Sequence, residues 1–94
     1  MRGKITRIDT VKRSHTGDYQ RVYFQLENGN FAKTDLVSSF RNYSRWKPLL
    51  KVGNVLGNLN IKEKGKVTTV NADSYPMIAS DFETPKQANN QKLF

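Results

Sequence analysis

DYQRVYFQL, residues 18–26, decides how this chain is read. As a β-strand its side chains divide between two faces, because successive residues point to opposite sides of a sheet. Val22, Phe24 and Leu26 fall on one face; Tyr19, Arg21, Tyr23 and Gln25 fall on the other. The apolar face belongs in a core. The tyrosine–arginine face needs a different explanation. Glu27-Asn28-Gly29-Asn30 follows, and Asn-Gly between two β-like runs signals a hairpin. A two-residue turn would set Phe24 against Lys33 and bury an ammonium group, which is expensive. A three-residue loop over Asn28–Asn30 avoids this by pairing Phe24 with Thr34 and Leu26 with Ala32. The outer face of the hairpin then carries Tyr19, Arg21, Tyr23, Gln25, Phe31 and Lys33. The alternative register buries Phe31.

Working outward, GKITRIDTV (residues 3–11) is rich in β-branched residues and reads as a strand. Ile5, Ile8 and Val11 do not keep one parity, which predicts a bulge or bend. Residues 12–18 form a polar loop. Phe40, Tyr43 and Trp46 recur at helical spacing, with Ser38 or Ser39 as N-cap, and Pro48 should end the helix at Lys47. This predicts a short helix over about residues 38–46. Val55–Ile61 reads as a fourth strand with Val55, Gly57, Leu59 and Ile61 on one face; residues 63–66 as a turn; Val67–Ala72 as a fifth strand, continued irregularly by residues 73–78. Residues 83–94 are polar and amide-rich. The expected organisation is one all-β domain over residues 1–78 and a flexible tail over 79–94. Five short strands with one helix between the third and fourth can curl into a small barrel that the helix plugs.

The 94 residues carry a net charge of +8, with no cysteine. Residues 1–78 hold 14 Lys and Arg against 6 Asp and Glu, while residues 79–94 hold two of each, so the whole excess lies on the part expected to fold. A small basic domain with ten aromatic residues points towards nucleic acid. No disulfide framework is available, and no apolar run is long enough for a membrane span. MRGKITRID lacks the apolar core of a signal peptide. A cytoplasmic protein is the expectation. His15 stands alone in a polar loop, and the acidic residues are scattered without the spacing of a catalytic pair. Gly53-Asn54-Val55-Leu56-Gly57 lacks the lysine of a phosphate-binding loop. Neither catalytic residues nor a metal or other cofactor is expected.

GKITRI with its bend, the Asn28-Gly29 hairpin, the aromatic helix and LLKVGNVLGNLNI (residues 49–61) together resemble an OB-fold domain. Within that fold the chain looks like the small single-stranded DNA-binding proteins of phages and plasmids. An SH3-like barrel is the rival architecture. The resemblance implies a five-stranded barrel that coats exposed strands in replication or recombination. It implies binding across strands two and three, with bases stacked on aromatic rings and cations following the phosphates. On this chain Tyr19, Tyr23 and Phe31 would form the stacking platform, to which Trp46 is added. Lys12, Arg13, Arg21, Lys33, Lys62, Lys64 and Lys66 would contact phosphates. Arg41 and Arg45 would extend the track. The tyrosines could instead be cross-strand packing pairs, and Phe40, Tyr43 and Trp46 the barrel plug. RNA is the alternative strand, and a homodimer would lengthen the track. Phe94 matches the closing residue of partner-docking tails in such proteins, although the acidic run before it is missing. A different class of function is a protein-binding module that docks an acidic partner, such as an inhibitor of a host enzyme.

Overall fold

The computed structural model describes residues 1–13, 15, 17–39 and 41–82. The readings made for Phe40 and Phe94 lie outside the described residues. The chain is β-rich with one short helix. Its strands are β1 (Gly3–Ile8), β2 (Tyr19–Leu26), β3 (Phe31–Val37), β4 (Val55–Gly57), β5 (Ile61–Lys64), β6 (Val67–Val70) and β7 (Met77–Ile78). The helix α1 (Tyr43–Trp46) runs directly into a 3-10 turn at Lys47–Leu49. No helix among the described residues is long and apolar enough to cross a membrane.

One curled sheet of seven strands has the order β5-β6-β3-β2-β1-β4-β7. All its pairings are antiparallel except β3 with β6. The fourth strand expected over residues 55–61 is therefore two strands. Val55–Gly57 pairs with β1 at one side of the sheet, and Ile61–Lys64 pairs with β6 at the other. The break falls at Asn58, whose φ of 62° lies in the left-handed region that a side chain seldom adopts. Its side-chain amide donates to the Tyr75 carbonyl at 3.0 Å. One stretch of chain thus serves both sides of the sheet, with only residues 58–60 between β4 and β5. Residues 73–78 do not extend β6. They turn back so that β7 pairs with β4.

The bend expected in the first strand is a register shift between Ile5 and Arg7. It lets Ile5 and Ile8 both face the core while Arg7 stands on the outer surface. The hairpin loop has three residues, but they are Glu27–Gly29 and not Asn28–Asn30. The Leu26 N–H donates to the Asn30 carbonyl at 2.7 Å, and Phe24 lies opposite Ala32. Gly29, with φ 92°, takes the loop position that needs a positive φ, which sets the register. The shift is two places, so every side chain keeps the face expected of it and only the partners change.

Ile5, Val22, Phe24, Leu26, Leu36, Trp46 and Leu56 form the centre of the core, each fully or almost fully buried. The helix is shorter than expected and starts at Asn42, not at Ser38 or Ser39. Asn42 is buried, and its side-chain amide donates to the Asp73 and Ser74 carbonyls, both at 2.9 Å. The α-helix ends at Trp46, as Pro48 predicts, but the chain coils on as a 3-10 turn with Pro48 in its first turn, where a missing N–H costs nothing. Residues 79–82, assigned above to the tail, are tied to the sheet. The Ala79 N–H donates to the Val55 carbonyl at 2.9 Å, Lys4 pairs with Asp81 at 3.1 Å, and Arg2 lies over the Phe82 ring.

Candidate nucleic-acid interface

The outer face of β1, β2 and β3 is built in cross-strand rows. Tyr23 lies between Arg7 and Lys33; Arg21 lies opposite Asp35; Gln25 lies between Lys4 and Phe31. The inner face is sealed by Val22, Phe24 and Leu26, so alternation forces this polar and aromatic set outward.

Two recesses mark this surface. Tyr23, Phe31, Lys33, Lys66, Val67 and Thr68 line the first, at the hairpin end of the sheet. The turn between β5 and β6 brings Lys66 there, and the parallel β3–β6 pairing brings Val67 and Thr68. Phe31 is 69% exposed, an unusual position for a large apolar ring. Lys12, Tyr19 and Arg21 line the second recess with Asp9 and Thr10. A backbone bridge between Lys12 and Tyr19, with N–H···O distances of 2.8 Å in both directions, fixes the loop over this end of the face.

Two of the cations are already engaged. Arg21 grips Asp35 through two hydrogen bonds of 2.7 and 3.1 Å. The guanidinium holds the Asp35 carboxyl below the usual carboxylate range. Because that value is depressed, the pair's contribution is fully present above the ordinary carboxylate pKa of about 4 and is lost only as pH falls through the lowered value. Both side chains are more than a third exposed, which limits the contribution to under about 1 kcal/mol. Arg7 pairs with Asp9 at 2.9 Å and its guanidinium covers the Tyr23 ring, 5.3 Å from the centroid. The Tyr23 hydroxyl points to Asp9 at 3.4 Å. Lys12, Lys33 and Lys66 form no ion pair among the described residues.

The structure brings Tyr19, Tyr23, Phe31, Lys12, Arg21, Lys33 and Lys66 to one face. Lys62 and Lys64 line an adjoining depression on the β5–β6 hairpin, which shares Val67 with the first recess. Arg13 is exposed beside Lys12. Arg41 and Arg45 lie at the helix end instead. Trp46 leaves the stacking set altogether: it is 0% exposed, packs edge-on against Phe24 with ring centroids 6.3 Å apart, and donates its indole N–H to the Ala72 carbonyl at 3.0 Å. It has no ring face to offer a ligand. Six contributors were absent from the site expected from sequence: Arg7, Asp9, Thr10, Asp35, Val67 and Thr68. A cross-strand ion pair between Arg21 and Asp35 is readable only in the observed register.

Among the described residues no cluster of three or more His, Cys, Asp or Glu could hold a metal ion. No protein-family model, curated protein or solved structure matches the chain.

Proposed function

We propose that this protein binds single-stranded nucleic acid without strong sequence preference, DNA before RNA, as a replication or recombination accessory. The observation that carries this reading is the half-buried Tyr23 and exposed Phe31 on one recess with Lys33 and Lys66, which form no ion pair among the described residues, on a sheet whose opposite face is closed by the core. Bases stack on the rings, which is sequence-tolerant because every base has a π face, and the lysines follow the phosphates. The barrel is read as OB-type, with its fourth strand broken at Asn58. Support comes from β1 lying between β2 and β4, from β3 running parallel to β6, and from the helix lying between β3 and β4. In that frame the loop before β2 and the β5–β6 turn are the two loops that flank a bound strand.

The test is a titration of oligo-dT, oligo-rU and a duplex of equal length at several salt concentrations. Neutralising one phosphate each with Lys12, Lys33 and Lys66 gives a slope of log affinity against log salt of about −2 for single strands. Tight, salt-sensitive binding to dT with weak duplex binding is expected. No binding to any of the three at low salt sinks the reading, and leaves the face as a dock for an acidic protein.

Asp35→Asn probes the same surface. Asp35 competes with phosphate for Arg21, so removing its charge frees one more cation. The variant should bind oligo-dT more tightly, with a slope steeper by about 0.7. An unchanged slope would mean that Arg21 does not meet the strand.

A further inference from the structure

Tyr75 lies in the segment between β6 and β7, away from the face described above, and its construction is unexpected for an ordinary surface turn. The side chain is 53% exposed. The backbone that carries it is held from several directions. The buried Asn42 donates twice to this segment, at the Asp73 and Ser74 carbonyls. The indole of Trp46 donates to Ala72 and the side chain of Asn58 to Tyr75 itself. Ser74, 0% exposed, donates through its hydroxyl to the Asn71 carbonyl at 2.6 Å and accepts from the Asn60 N–H at 2.9 Å. The result is a rigid mount for an exposed aromatic ring. Arg45 extends its guanidinium over that ring, 4.7 Å from the centroid, and Arg41 lines the same recess with Asn42, Asp73 and Tyr75.

We infer that Tyr75, with Arg45 and Arg41, is a second stacking and phosphate site for the same single strand, at the helix end of the molecule. The inference rests on the strand-binding reading above. A planar π system next to two guanidinium groups suits a base with its phosphate, since guanidinium groups meet phosphates by paired hydrogen bonds and stack on ring faces. The backbone runs from the first site towards the second. From Phe31 to Val37 the outer face runs along β3 for about 20 Å, six rises of roughly 3.3 Å. Beyond it the Ser38 N–H donates to the Asp18 carbonyl at 2.8 Å, joining the end of the β1–β2 loop to the exposed Ser38 and Ser39 that lead to Arg41. The parallel β3–β6 pairing carries the chain after Val70 to this same end. A strand lying along β3 from Phe31 past Tyr19 would therefore leave the sheet towards Arg41 and Tyr75.

The experiment compares end-labelled oligo-dT of about 6 and about 16 nucleotides, both within the range of site sizes known for OB folds. Both are titrated by anisotropy against the full chain and its variants. The unaltered protein should prefer the longer strand. Tyr75→Leu, which keeps an apolar side chain but cannot stack, should lose about tenfold on the longer strand and nothing on the shorter. Tyr75→Phe should bind as the unaltered protein does. Arg45→Met should weaken only the longer strand and flatten its salt dependence. Equal affinity of Tyr75→Leu and the unaltered protein for the longer strand overturns the inference. If Tyr75→Leu fails to fold, Arg45→Met decides: an unchanged affinity and slope overturns it equally. If the unaltered protein binds both lengths equally well, the strand-binding reading stands and this inference alone falls. If it binds neither, both fall together.

Discussion

Trp46→Ala is expected to bring the domain to the edge of unfolding. Trp46 is the largest fully buried side chain, and it belongs to the core cluster with Phe24, Leu26, Leu36 and Leu56. Removing a buried Trp costs about 3–5 kcal/mol in lost transfer energy and residual cavity. The change also strips the part-buried Ala72 carbonyl of its indole donor, which adds the loss of that hydrogen bond. A domain of about 80 residues has only roughly 4–12 kcal/mol to lose. Urea unfolding followed by far-UV circular dichroism checks this. Trp46→Phe should cost less, because a ring can still meet Phe24, but it too loses the bond to Ala72. If Trp46→Ala unfolded at nearly the same urea concentration as the parent, the helix would not be anchored in the core through this ring. The same burial has an optical consequence. Trp46 emission should stay blue-shifted and respond little to added oligo-dT, because no base can reach the ring.

Trp46 also marks where the sequence stops being informative. Phe40, Tyr43 and Trp46 at helical spacing read first as a plug, yet Trp46 also joins the stacking set, because spacing fixes a face and not what covers it. Strand parity is a stronger signal: Val22, Phe24 and Leu26 are each 0% exposed, as alternation requires. Tyr23, Phe31 and Lys33 are on the outer face for the same reason. Parity is blind to even shifts, however. Moving the hairpin by two places exchanges every cross-strand partner without turning a side chain over, so Asp35 came to lie opposite Arg21 unannounced. The broken fourth strand was hidden for another reason. Val55, Leu56 and Gly57 are all buried, so no alternation survives there, and Asn58 takes a left-handed φ that nothing local to NVLGNLN requires. What stabilises it is the distant Tyr75 carbonyl.

Replacing Tyr23 and Phe31 together by Leu should reduce oligo-dT affinity by about a hundredfold or more, while leaving the salt dependence as it was. The two residues are diagonal neighbours on one face, since Tyr23 lies opposite Lys33 and Gln25 opposite Phe31. Each stacked base contributes about 1–3 kcal/mol, and neighbouring residues share that contribution, so the double change falls short of a simple sum. Leu keeps an apolar side chain at both positions but has no π face. Phe31 is mostly exposed, so its loss should barely alter stability. The Tyr23 change removes the Arg7 contact and the hydroxyl's part-buried approach to Asp9, both on the outer face and outside the core. Thermal unfolding of the variant should therefore stay within a few degrees of the parent, which separates lost stacking from lost fold. The salt slope provides the second separation. Lys12, Lys33 and Lys66 remain, so counterion release is unchanged, whereas Lys33→Ala should flatten the slope by about 0.7. A double variant that bound oligo-dT as tightly as the parent would leave only charge to hold the strand. Charge alone does not favour single strands over duplex, so the outer-face rings would then belong to a surface that meets another protein.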